Sequence, residues 1–247
     1  MSQTWFYVFG SLAIVSGISF VGAITLAVGQ EKLKKILLYL VSFSAGALLG
    51  DVFLHLLPEM QVNGFGSKEG FYILGGILLF FILEKFIHWH HSHTEHTEDI
   101  HAVVYLSITG DALHNFIDGL VIAGSFLVSP ALGFATLLAV IFHEVPHELG
   151  NFAVLVHGGW SAKKALIYNF FSSFAAFAGA ILVLSFAGVF SQTPQVLLAL
   201  GASNFIYVAL SDLVPELHME TDRNRSLLLL FSFVLGILAM AGMLLME

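Results

Sequence analysis

Residues 111–120 read DALHNFIDGL and residues 143–150 read HEVPHELG, each inside an apolar stretch long enough to cross a bilayer. The first carries Asp111, His114, Asn115 and Asp118, and the second His143, Glu144, His147 and Glu148. A charged side chain at the centre of a membrane costs roughly 2.5–3.5 kcal/mol on insertion scales. Polar residues that hydrogen-bond helices to each other would explain one such group. Eight ionisable or amide groups in two consecutive spans call for a bound cation. The i, i+4 spacing sets His114 with Asp118 on one helix face, His143 with His147 on another, and Glu144 with Glu148 one residue round. Two facing helices then offer three imidazoles, carboxylates and one amide to a common volume. Nitrogen and oxygen donors without cysteine sulfur suit Zn2+, and also serve Fe2+, Mn2+, Co2+ or Cd2+. Pro146 removes one helix hydrogen bond and crowds the carbonyl at i−4, that of Phe142. A kink and a freed carbonyl are therefore expected beside the candidate ligands, as membranes tolerate where a cavity is lined.

The composition agrees with a membrane setting. Of 247 residues, 57% are hydrophobic and 11% charged, whereas a soluble domain carries roughly 25% charge. Mean hydropathy is +0.89. A net charge of −8 speaks against nucleic acid, and the absence of cysteine removes disulfides and thiolate sites. The start, MSQTWFYVFG, lacks the basic stretch of a cleavable signal peptide, so the first apolar segment is expected to be a permanent span. Eight candidate spans follow, at about 5–28, 36–57, 71–89, 102–128, 131–156, 164–190, 195–217 and 227–246. The expected fold is all-α and integral to the membrane, one transmembrane domain over residues 1–247 with short connections.

Loops after the odd-numbered spans hold Lys32, Lys34, Lys35, Lys85, Lys163, Lys164, Arg223 and Arg225; those after even spans hold only Lys68. The positive-inside rule therefore puts the odd loops in the cytoplasm and both termini outside, in an inner or plasma membrane. Span 2 ends HLLPE (55–59) and span 7 ends DLVPE (212–216), running in opposite directions under this topology. HNFIDG in span 4 likewise echoes HEVPHE in span 5. Such pairs are the trace of an inverted repeat, common in secondary transporters. Asp51 and His55 in span 2, and Asp212 with Glu216 in span 7, either line an entry or exit path or are polar groups near a membrane end. Asp111 is an exit-path residue or a hydrated one, and Glu148 is a further path candidate. Past span 3, His88, His90, His91, His93, His96 and His101 fall in one stretch of residues 88–101 on the cytoplasmic side. A solvated run of histidines is the plain alternative, but beside metal-like spans it reads as an accessory metal-handling loop.

These residues resemble the ZIP family of divalent metal transporters, closest to its LIV-1-like branch. The resemblance rests on ALLGDVFLHLLPE (47–59), FFILEKFIHWHH (80–91), DALHNFIDGL (111–120), HEVPHELGNFAVLVHGG (143–159) and FIYVALSDLVPEL (205–217). It implies eight helices, with 1–3 and 6–8 related by inversion around helices 4 and 5. It also implies a two-metal site, with His114, Asp118 and His147 holding one ion. Asn115, His143 and Glu144 would hold the second, with Asp118 and His147 as bridges. Some bacterial relatives add a carboxylate from span 6, whereas NFFSSFAAF (169–177) contains no acid.

Two functions from different classes fit. One is a transporter that brings Zn2+ into the cytoplasm by alternating access, with metal as substrate, no organic cofactor, no nucleotide motif, and a homodimer as a candidate assembly. The resemblance implies that one helix bundle slides against the other. The other is an intramembrane zinc protease, since His143-Glu144-Val145-Pro146-His147 fits H-E-x-x-H. Pro146 within the motif and the second ligand set on span 4 weigh against it. The topology is tested by single cysteines in the cysteine-free chain: a Ser2→Cys variant is expected to react with an impermeant thiol reagent added outside, and labelling only from the cytoplasm would reverse the orientation.

Overall fold

A computed structural model of the chain describes residues 2–25, 30–62, 64–91, 99–190 and 194–245. Among them every regular element is helical. The first span is α1 (Ser2–Ile18), a 3-10 turn (Ser19–Val21) and α2 (Gly22–Thr25). The second is α3 (Gln30–Asp51), a π-helical turn (Val52–Leu56) and α4 (Leu57–Val62), and the third is α5 (Ser67–His91). Two long helices follow, α6 (Asp99–Val128) and α7 (Pro130–His157). The sixth span is α8 (Ala162–Ser173), α9 (Ala175–Ser185) and α10 (Ala187–Phe190). The seventh is α11 (Pro194–Tyr207), a π-helical turn (Val208–Leu213) and α12 (Val214–His218), and α13 (Arg223–Met243) closes the chain.

Six of these segments are long and apolar enough to cross a membrane: Ser2–Val21, Ile36–Val62, Ser107–Val128, Ala162–Ser185, Gln195–His218 and Arg223–Met243. The protein is a multi-pass membrane protein. Helix α7 has 28 residues, a length of about 42 Å at 1.5 Å per residue, but His143, Glu144, His147 and Glu148 interrupt its apolar run. Side chains His88, His90, His91, His93, His96 and His101 lie outside the described residues.

Local sequence explains the breaks. Ser129 is extended and its hydroxyl accepts from the Leu132 N–H at 3.1 Å, with Pro130 opening α7; a hydroxyl cap followed by proline is a strong helix start. Within the sixth segment, Ser173 donates to the Phe170 carbonyl three residues back, and α8 ends at Ser173 with Phe174 as its C-cap. Such bonds compete with the helix ladder. Both π turns stand just before a Pro-Glu pair, Pro58-Glu59 and Pro215-Glu216. Proline cannot donate to the carbonyl four back, and the helix widens: Leu57 N–H bonds to the carbonyl of Val52, and Val214 N–H to that of Ala209, five back in each case.

Helix contacts form two groups. In one, α1, α8 and α9 pack on α6 and α7; in the other, α13 packs on α3 and α11 on α5. The groups meet where α3 lies on α7 and α11 lies on α6. Glycines bring backbones together inside each group. A Cβ on Gly119 would run into the Ala176 carbonyl and one on Gly179 into that of Phe116, welding α6 to α9. Gly46 and Gly236 face the carbonyls of Phe233 and Phe43 in the same reciprocal way, welding α3 to α13. Across the α6–α11 seam, Gly124 faces the side chain of Leu197, and Gly201 those of Val121 and Leu56. Outward leucines and phenylalanines such as Leu227, Phe231 and Leu238 on α13 are exposed, as a lipid-facing surface requires.

Enlarging Gly119 to valine must separate α6 from α9. Overpacking of this kind costs about 1–3 kcal/mol, so Gly119→Val is expected to unfold several degrees below the parent chain in a thermal scan in detergent, with Gly75→Val, where a Cβ meets nothing, close to the parent.

Candidate metal site

Helices α6 and α7 bring His114, Asp118, His143 and Glu144 together, with one ligand atom from each inside a sphere of mutual distances no greater than 4.8 Å. His114 Nε2 lies 3.1 Å from His143 Nε2, 3.0 Å from Glu144 Oε1 and 3.7 Å from Asp118 Oδ2. His143 Nε2 lies 3.1 Å from Asp118 Oδ2 and 3.5 Å from Glu144 Oε1. A tetrahedral Zn2+ site with bonds of about 2.0–2.2 Å has ligand atoms about 3.3–3.6 Å apart, so these separations already approximate its edges.

Hydrogen bonding shows why the cluster is unusual. His143 Nδ1 contacts the Ala139 carbonyl at 3.1 Å, and a carbonyl only accepts, so Nδ1 carries a proton. In the neutral ring Nε2 is then a lone pair, 3.1 Å from His114 Nε2, which can donate to it, and 3.1 Å from Asp118 Oδ2. That carboxylate oxygen is buried with no hydrogen-bond partner. Facing lone pairs at 3.1 Å repel unless a cation, metal or proton, stands between them. A backbone carbonyl that sets the tautomer of a histidine is the usual support for a metal-binding imidazole.

The remaining residues take distinct places. His147 stacks on His114 with ring centroids 4.3 Å apart and lies 3.5 Å from Asp111 Oδ1. It stands outside the four-atom set, with Nδ1 3.9 Å from Glu144 Oε1, and its side chain is 34% exposed. The Asn115 amide donates to the Asp111 carbonyl at 3.0 Å, and its Oδ1 is buried without a hydrogen-bond partner. Asp111 accepts from Ser172 on α8. Glu148 is buried away from the cluster, accepting from Ser19 at 2.6 Å and from Asn169. Asp51 and His55 pair at 3.4 Å across the start of the first π turn.

Two cavities approach from opposite ends. A cavity of about 560 Å³ reaches His114 and His147 and is also lined by Glu84, Asp111, Asp212 and Glu216. Among the described residues its lining has four carboxylates and no lysine or arginine, a lining that concentrates cations. A smaller one of about 340 Å³ is lined by His55, Glu59, Ser129 and Leu132, near the turn between α6 and α7.

Sequence reasoning named the ligand candidates but passed over their supports. The carbonyl of Phe142, released by Pro146, accepts from Ser44 on α3; the helix itself runs on through Pro146. Asn204 on α11 donates to Asp118 Oδ1 at 3.3 Å. Asn169 joins Glu148 to Asn151 by a bond of 2.7 Å from Asn151. A lone amide within an apolar segment, such as Asn169 or Asn204, is the signal in the sequence for such partners.

The ZIP Zinc transporter family model matches residues 2–102 and 88–244. A protein named Zinc transporter ZIP13 from Pongo abelii is 36% identical over 81% of this chain and 65% of its own length. Zinc transporter ZIP4 from Mus musculus is 31% identical over 93% of the chain and 46% of its own length. Zinc transporter ZIP13 from Danio rerio is 32% identical over 86% and 76%. The chain thus spans between about half and three quarters of these relatives. All are named as transporters rather than enzymes, and the protease reading finds no support.

The Ser44 hydroxyl and Pro146 make a closed test. Ser44→Ala leaves the Phe142 carbonyl unpaired and is expected to cost about 1 kcal/mol. In a Pro146→Ala background the restored backbone N–H takes that carbonyl, and Ser44→Ala should become nearly neutral, a coupling read by thermal unfolding of the four chains.

Proposed function

We propose, from the premise that this chain belongs to the ZIP zinc transporter family, that it carries Zn2+ across the membrane into the cytoplasm through a site between α6 and α7. The observation that carries this reading is the convergence of His114 Nε2, His143 Nε2, Asp118 Oδ2 and Glu144 Oε1 between α6 and α7. Asn115 Oδ1, buried without a hydrogen-bond partner, and His147, stacked on His114, are candidates for a second ion beside the first. Fe2+, Mn2+, Co2+ and Cd2+ accept the same donors.

The ion enters past Asp51, His55 and Glu59, exchanges water for the ligands, and leaves along the acidic cavity past Asp111, Asp212 and Glu216 towards the histidine-rich loop, which serves as an accessory buffer. Eight spans in one domain, an inverted repeat, and termini outside in a plasma or inner membrane complete the proposal. The two π turns before Pro58 and Pro215 support the repeat. Alternating access comes from one helix group sliding on the other. Backbone-tight glycine contacts inside each group, and side-chain contacts across the seam, support rigid bodies with a movable boundary.

Uptake of radioactive zinc into proteoliposomes ranks the residues. His114→Ala and His143→Ala are expected to lose most uptake, His147→Ala to lose less, and Asp51→Ala to change it least; wild-type uptake in well-folded His114→Ala and His143→Ala chains would remove the site. Glu144→Gln is expected to alter uptake, with no proteolysis by either form.

A further inference from the structure

We infer that Asn204 is a positioning residue that ties the strength of the metal site to the register of the two helix groups. This rests on the transport reading above. Asp118 uses its oxygens differently: Oδ2 faces His143 Nε2 at 3.1 Å, while Oδ1 accepts from the Asn204 amide at 3.3 Å. With one oxygen held by a donor, the carboxylate plane is set and the other oxygen is presented to the cluster. Partners of this kind orient metal-binding carboxylates. Asn204 is 3% exposed and forms part of the wall of the cavity that reaches His114 and His147.

The contacts that hold ligand side chains, the Ala139 carbonyl under His143 and the Asp111 contacts of Asn115 and His147, come from α6 and α7 themselves, while Ser44 on α3 bonds the Phe142 backbone and touches no ligand side chain. They travel with the site. Asn204 sits on α11, in the other helix group, and reaches Asp118 across the α6–α11 seam. That seam is the one lined by Leu197 and Val121 side chains in place of backbone-tight glycine contacts. A hydrogen bond tolerates only a few tenths of an ångström of stretch before it weakens steeply. Sliding of the groups therefore opens this bond while leaving the rest of the cluster intact. Asp118 then turns freely, and the site holds a divalent cation less firmly in one register than in the other. A ligand shifts a two-state protein only by its difference in affinity for the two states, and Asn204 supplies part of that difference.

The test uses Co2+, whose visible absorption reports tetrahedral coordination, titrated into the whole chain purified in detergent, together with the concentration dependence of zinc uptake. Asn204→Ala is expected to weaken Co2+ binding about 10–100-fold and to raise KM for zinc in parallel while the maximal rate is maintained. Asn204→Ser, which keeps a shorter donor, should recover part of both. Unchanged Co2+ affinity and KM in a folded Asn204→Ala chain, or equal losses in the two variants, would overturn the inference. Independently of any change at Asn204, a disulfide joining Val121→Cys to Gly201→Cys locks the seam in this register. The locked chain should bind Co2+ at least as tightly as the parent and transport no zinc; weaker binding would overturn the inference. Asp118→Ala separates the two levels: if it leaves Co2+ binding intact the site reading fails, and if it abolishes binding while Asn204→Ala changes nothing, only the role of Asn204 fails.

Discussion

Four groups able to give electron pairs, two imidazole nitrogens and two carboxylate oxygens, lie within 4.8 Å of one another between α6 and α7. A proton on His114 Nε2 can serve one of these contacts at a time, and a cation placed among the four atoms would satisfy all of them. Much of the surrounding structure serves this arrangement. The Ala139 carbonyl fixes which nitrogen of His143 points inwards. Asn204 turns Asp118. Pro146 sits in the same helix turn, and the carbonyl it releases is taken up by Ser44, so α7 passes the site without an unpaired acceptor. A cavity lined by Glu84, Asp111, Asp212 and Glu216 reaches His114 from one end.

Packing separates what must stay rigid from what can move. Glycine pairs on α6–α9 and α3–α13 let carbonyls of one helix approach the bare Cα of the other. In lipid, where no hydrophobic force drives helices together, this close van der Waals contact supplies much of their association. At the α6–α11 seam Gly124 and Gly201 meet the side chains of Leu197, Val121 and Leu56 instead of backbone. A second polar network, Ser19 and Asn169 on Glu148 with Asn151 beyond, stays within one group and helps hold α7 to the first and sixth spans.

Particular residues show how far reading the chain can go. The i, i+4 spacing in HNFID and HEVPH was enough to anticipate that α6 and α7 would pool their polar side chains, because helical periodicity converts spacing into direction. Proline chemistry was enough to anticipate a free Phe142 carbonyl, because the missing N–H is a property of the residue. Neither pattern separates His143 from His147. Both lie on one face, yet the first joins the four-atom set while the second stacks on His114 and turns to Asp111. Glu144 and Glu148 share a spacing in the same way and part company, one in the cluster and the other bonded to Ser19 and Asn169.

By itself the sequence determined the membrane setting, the helical spans and the residues able to hold a cation, since all three follow from hydropathy, charge cost and local periodicity. Only the tertiary structure decided which donors share a point, that Ser44 and Asn204 reach the Phe142 carbonyl and Asp118 from the opposite helix group, and that backbone-tight contacts fall within groups and not across their seam. Those outcomes depend on helix rotation and on pairs far apart in the chain, such as Asn204 with Asp118. A period of 3.6 residues places a side chain on its own helix to within one face. It carries no information about which neighbour that face will meet.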